Sequence, residues 1–67
     1  MQNYTHGILY GKLITWTQHQ DIIVLEISYD NTTTEICIYR HKIFNFEQIY
    51  GGNYVLFDIV AREIFII

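Results

Sequence analysis

Three side chains that can carry positive charge stand in a row inside strand-forming sequence, in Ile36-Cys37-Ile38-Tyr39-Arg40-His41-Lys42-Ile43-Phe44. Guanidinium, imidazole and ammonium groups share one chemistry: they donate hydrogen bonds to phosphate oxygens and to the acceptor edges of bases. Nowhere else does the chain concentrate titratable groups within a strand-like run. Alternation along an extended chain sends neighbours to opposite faces. Arg40 and His41 can therefore share a site only where a bulge or a strand end breaks that alternation. The other chemically able residues are scattered. His6, His19, His41 and Cys37 fit no tight metal-ligand spacing. Asp21, Glu26, Asp58 and Glu63 include no obvious acid–base pair, and no Ser/His/Asp set, glycine-rich phosphate loop or nucleophile elbow is present. The expectation is a protein that is not an enzyme and that uses no cofactor and no metal.

The elements that must position this cluster come from a short chain. Sixty-seven residues allow one domain, residues 1–67, with a single core. The hydrophobic fraction is 51% and the aromatic fraction 16%, rich in the Ile, Val, Tyr and Phe that strands favour. No proline interrupts a strand. The single cysteine, Cys37, excludes an intramolecular disulfide and points to a reducing compartment. No signal-peptide pattern opens the chain and no apolar run approaches a membrane span, so the expected location is cytoplasmic, with no membrane partner. The net charge of -3 argues against gripping duplex nucleic acid, which needs a basic stripe. It leaves open local contacts to single strands, where stacking supplies much of the energy.

Five strands are expected. Ile8 to Thr17 is the first, with apolar residues on both faces as in a strand that curls around a small barrel; Gly11 within it suggests a bend or a close backbone approach. Gln18-His19-Gln20-Asp21 is a polar turn, Ile22 to Tyr29 the second strand, and Asp30-Asn31-Thr32-Thr33-Thr34 the next turn. The third strand runs from Glu35 to Phe44, with Cys37, Tyr39, His41 and Ile43 on a mostly apolar face that is a candidate for the core. Asn45 to Gly52 reads either as one short helical turn, capped by Asn45 with Gln48 three residues later, or as a plain loop. Tyr54 to Val60 and Arg62 to Ile67 complete the set. The result is all-β: a small, strongly bent five-stranded barrel, SH3-like or Sm-like ahead of an OB-fold barrel. The apolar segment Ile64-Phe65-Ile66-Ile67 must close the barrel or pair with another chain, which implies a homo-oligomer built by edge-strand pairing.

Gly11-Lys12-Leu13-Ile14-Thr15-Trp16-Thr17-Gln18-His19 with Ile22-Ile23-Val24-Leu25 resembles the first motif of Sm-like proteins, and Tyr39-Arg40-His41-Lys42-Ile43 resembles the second motif of bacterial Hfq. The resemblance covers roughly residues 7 to 46. It implies a ring of bent barrels in which the first turn and the second motif meet across subunits to bind uridine. By motif position Gln18, His19, Arg40 and His41 are the implied RNA-binding residues, His19 stacking on a base, Gln18 and His41 bonding its edge, and Arg40 holding phosphate or a base oxygen. Single-stranded U-rich RNA is the implied partner.

Two further resemblances compete. The strand series Leu25–Tyr29, Thr34–Ile38, Gly51–Leu56 and Arg62–Ile66 is similar to that of WYL domains, which implies a nucleotide- or ligand-sensing barrel. Gly11–Trp16 and Gly52–Phe57 resemble the first and fourth strands of the cold-shock OB-fold, although Asp21 to Ile27 lacks that family's aromatic strand. The acidic balance supports a further alternative, a structural barrel that pairs strands with itself or a protein partner and binds no nucleic acid.

Overall fold

The computed structural model describes residues 7–67; His6 and the rest of the amino-terminal stretch lie outside the described residues. The chain is all-β. Its strands are β1 (Ile8–His19), β2 (Ile22–Tyr29), β3 (Thr32–Tyr39), β4 (Ile43–Phe44), β5 (Tyr54–Asp58) and β6 (Glu63–Ile66), with 3₁₀ turns at Arg40–Lys42 and Phe46–Gln48. They form one sheet in the order β3-β2-β1-β5-β6-β4. All pairings are antiparallel except β4 with β6, which is parallel.

That order forces the sheet to curl. In a flat sheet the outermost of six strands would lie about 24 Å apart. Here the two outer strands are β3 and β4, and they are consecutive in the chain, with only Arg40–Lys42 between them. Tyr39 and Ile43 can be separated by no more than about 14 Å of extended backbone. The free edge of β3 must therefore come round towards β6 and β4. A bulge between Leu13 and Thr15 helps β1 to bend. It also resets the pleat: Leu9, Gly11 and Leu13 face inward before it, whereas Trp16 packs against the core after it. Gly11 stands where strands approach most closely, since a Cβ there would lie 2.5 Å from Ile27 Cγ2 and 2.9 Å from the Ser28 carbonyl oxygen.

Inside the curl lies a single apolar core. Leu13, Ile23, Leu25, Ile27, Val55 and Ile64 are completely shielded, and no polar or charged side chain is buried among the described residues. Two-residue turns connect the first three strands. Gln20 has a positive φ in the first turn, and Asp30 and Asn31 both do in the second, the requirement of a type I′ hairpin.

Several expectations are corrected. The described residues form six strands, not five, because Glu35 to Phe44 is not one strand. β3 stops at Tyr39, the 3₁₀ turn follows, and β4 resumes at Ile43. β3 also begins earlier, at Thr32, because Asp30 and Asn31 alone complete the reversal. Its core face is the opposite of the one expected: Ile36 and Ile38 are buried while Cys37 and Tyr39 are exposed, and the 3₁₀ turn shifts the phase so that Ile43 is buried. Within Asn45–Gly52 the short turn does form, but Asn45 makes no side-chain cap. It adopts a left-handed conformation and its Nδ2 donates to the Ile66 carbonyl at 3.2 Å.

Candidate nucleic-acid interface

The β1–β2 hairpin and the Arg40–Lys42 turn lie at the same end of the sheet. His19 pairs with Ile22, and Ile22 in turn pairs with Tyr39. The Arg40 backbone N–H then donates to the Asp21 carbonyl at 2.8 Å, tying the two segments together. This end supplies the strand break that Arg40 and His41 needed in order to act in one region.

Their side chains nevertheless diverge. The Arg40 guanidinium sits over the Phe46 ring, 4.5 Å from its centroid, and Phe46 meets Trp16 edge-on at 5.4 Å. His41 stacks on exposed Tyr39, with ring centroids 5.8 Å apart and planes 26° apart. Gln18 turns back on its own hairpin, its Nε2 donating to the Gln20 carbonyl at 2.9 Å. His19 is exposed at the end of β1. Gln18, His19, Arg40 and His41 thus share one end of the molecule, but no hydrogen bond or ring contact joins the side chains of the first two to those of the last two among the described residues. They border a surface rather than line one pocket.

A cavity does open nearby. Its volume is about 430 Å³, and Ile22, Cys37, Ile38, Tyr39, Lys42 and Arg62 line it. It sits on the seam where the curled sheet brings the free edge of β3 opposite the β5–β6 turn. Arg62 spans this seam, its guanidinium donating to the Cys37 carbonyl. The Cys37 carbonyl therefore points away from β2, towards the open edge. Arg62 holds a positive φ of 57°, a conformation that non-glycine residues seldom adopt. Lys42 lies 3.9 Å from Glu63 across two half-exposed side chains, a loose pair that screening leaves weak.

The composition of this cavity is informative against the rest of the chain. The protein has only four Lys and Arg residues, and two of them, Lys42 and Arg62, line it. No carboxylate does. In an acidic protein this places two cations, one of them loosely paired with Glu63, beside an apolar floor of Ile22 and Ile38 and an aromatic wall in Tyr39. Lys42 was visible in the basic run. Arg62 was not, since no local pattern marks it, and only the curl brings it to β3. Among the described residues no group of three or more His, Cys, Asp or Glu is placed to hold a metal ion, and no helix is long and apolar enough to cross a membrane.

Comparison with protein-family models, curated proteins and solved structures returned no match to the chain.

Proposed function

We propose that this protein is a non-catalytic, single-stranded RNA-binding small β-barrel that acts as an oligomer. The observation that carries the reading is the seam cavity, where two of the chain's four cations meet an apolar floor and an exposed tyrosine beside the Arg40–His41 turn. An unstacked base can lie against Tyr39, and Lys42 and Arg62 can take its phosphate, which is the division of labour that single-strand binding uses. Arg40, His41, Gln18 and His19 then flank the path of the strand. The connectivity supports the OB-fold alternative over the Sm-like one. β1 pairs with both β2 and β5, and the last strand runs parallel to the continuation of the third, as in a partly open Greek-key barrel. In that architecture the faces of strands two and three and the flanking loops bind oligonucleotides, and the cavity draws on β2, β3 and the β5–β6 turn.

The size of the cavity favours a second reading, a nucleotide-sensing module. About 430 Å³ lies within the range of small-molecule sites, roughly 300–1,000 Å³. One experiment separates the two. Fluorescence anisotropy with a labelled U-rich oligonucleotide at low salt is followed by competition with uridine monophosphate. The RNA reading requires binding that Lys42→Gln and Tyr39→Ala each weaken, with the mononucleotide a poor competitor. Equal competition by the mononucleotide supports sensing, and no binding of either ligand overturns both.

A further inference from the structure

The outer face of β1, β5, β6 and β4, made by residues that the cavity does not use, carries an unbroken cross-strand row. Tyr10 pairs with Leu56, Leu56 with Phe65, and Phe65 with Phe44. Tyr54 extends it by stacking on Tyr10 at 5.3 Å, and Phe44 stacks on Phe65 at 4.8 Å, both pairs nearly parallel. These rings are 55% (Tyr10), 45% (Tyr54), 41% (Phe44) and 39% (Phe65) exposed. With ~200 Å² per aromatic side chain, they present ~360 Å² to solvent, and the adjoining aliphatics bring the face to roughly 500 Å². A patch of that size matches the largest on typical monomers, and two such faces together reach about the 1,000 Å² that a specific interface requires.

Charge on this face is arranged about the row. Lys12, paired with Tyr54, lies on one side of it; Asp58 and Glu63, paired with each other, lie on the other side, where Lys42 loosely pairs with Glu63 at 3.9 Å and leaves Asp58 as the uncompensated charge. A second copy turned about a two-fold axis running along the row would bring each Lys12 over the end where the partner's Ile8 and Asp58 pair. Such an isologous contact repeats the attraction twice. We infer that the aromatic row is a homodimer interface, in which two copies pack face to face across Tyr10, Leu56, Phe65 and Phe44 with Lys12 set against the acidic flank of the partner. The contact leaves the free edge of β3 and the seam cavity uncovered, so it is independent of the RNA reading and differs from pairing by strand edges.

Sedimentation velocity of the full chain across micromolar concentrations tests it. The expected result is a monomer–dimer equilibrium that Phe65→Glu weakens at least tenfold. Lys12→Glu should weaken it at low salt and recover as salt screens the repulsion. Glu35→Pro, on the outer edge of β3, should leave it unchanged. Tyr10→Lys serves as a second row variant should Phe65→Glu not fold, with circular dichroism as the check. A chain that stays monomeric throughout overturns the inference. So does a dimer that survives the row variants but is lost in Glu35→Pro, because edge pairing would then be responsible.

Discussion

Alanine at Gly11 tests the close approach of β1 to β2 inside the curled sheet. The added Cβ would stand 2.5 Å from Ile27 Cγ2 and 2.9 Å from the Ser28 carbonyl oxygen. Real Cβ contacts of that length essentially do not occur, and one of the two obstacles is backbone that cannot swing aside. Ile27 is fully buried, so its methyl has no free space to take either. Overpacking of this kind costs about 1–3 kcal/mol. The loss of glycine's freedom in the unfolded chain returns roughly 0.4–1 kcal/mol. The net expectation is destabilisation of about 1–2 kcal/mol, which for a domain of this size lowers Tm by roughly 5–15 °C. Thermal unfolding followed by far-ultraviolet circular dichroism reads the shift. Because β1 would be pushed away from β2, the oligonucleotide affinity should fall as well. A Gly11→Ala chain as stable as the parent would refute the close approach of β1 to β2.

Other variants probe the seam and the turns. Arg62→Gly relieves the left-handed backbone at φ 57° but removes the bridge to Cys37, so stability should change by less than about 1 kcal/mol while oligonucleotide affinity drops at least fivefold in anisotropy titrations. Asp58→Ala removes an acceptor that receives the Val60 and Ala61 backbone N–H groups at 3.1 and 3.0 Å, and should cost about 1 kcal/mol in urea unfolding. Leu13→Ala opens a cavity at a fully shielded site and should cost about 2–5 kcal/mol, enough to unfold much of the population of so small a domain. The salt dependence of RNA binding should be shallow, because two or three phosphate contacts give a slope of log K against log salt of only about -1.4 to -2.1. A much steeper slope would require cations this chain does not have.

Local pattern carried much of the architecture. The alternation of Leu25, Ile27 and Tyr29 against Glu26 and Ser28 marks β2, and Asp30-Asn31 marks a hairpin through its tolerance of positive φ. Gly11 signals close approach because a glycine inside an apolar strand has few other reasons to be there. The phase of β3 was illegible. Both of its faces carry apolar residues, Ile36 and Ile38 on one and Cys37 and Tyr39 on the other, so alternation alone cannot choose the core side. The choice is made by partners distant in sequence. The interruption at Arg40–Lys42 also lacks a local marker, having neither glycine nor proline. It arises because β3 must leave β2 and cross to β6, where Ile43 pairs with Ile64. The candidate site divides in the same way. Arg40, His41 and Lys42 stand out as a run, whereas Arg62 acquires a role only when the curl sets it against Cys37, 25 residues away along the chain.

Chemical-shift mapping of the isotope-labelled protein during titration with a U-rich oligonucleotide addresses the proposed function most directly. Shifts should concentrate at Cys37–Lys42, Ile22 and Arg62, with smaller ones in the Gln18–Asp21 hairpin, and leave the aromatic row at Tyr10, Leu56 and Phe65 undisturbed. Shifts centred on that row, or none at all at low salt, would contradict it.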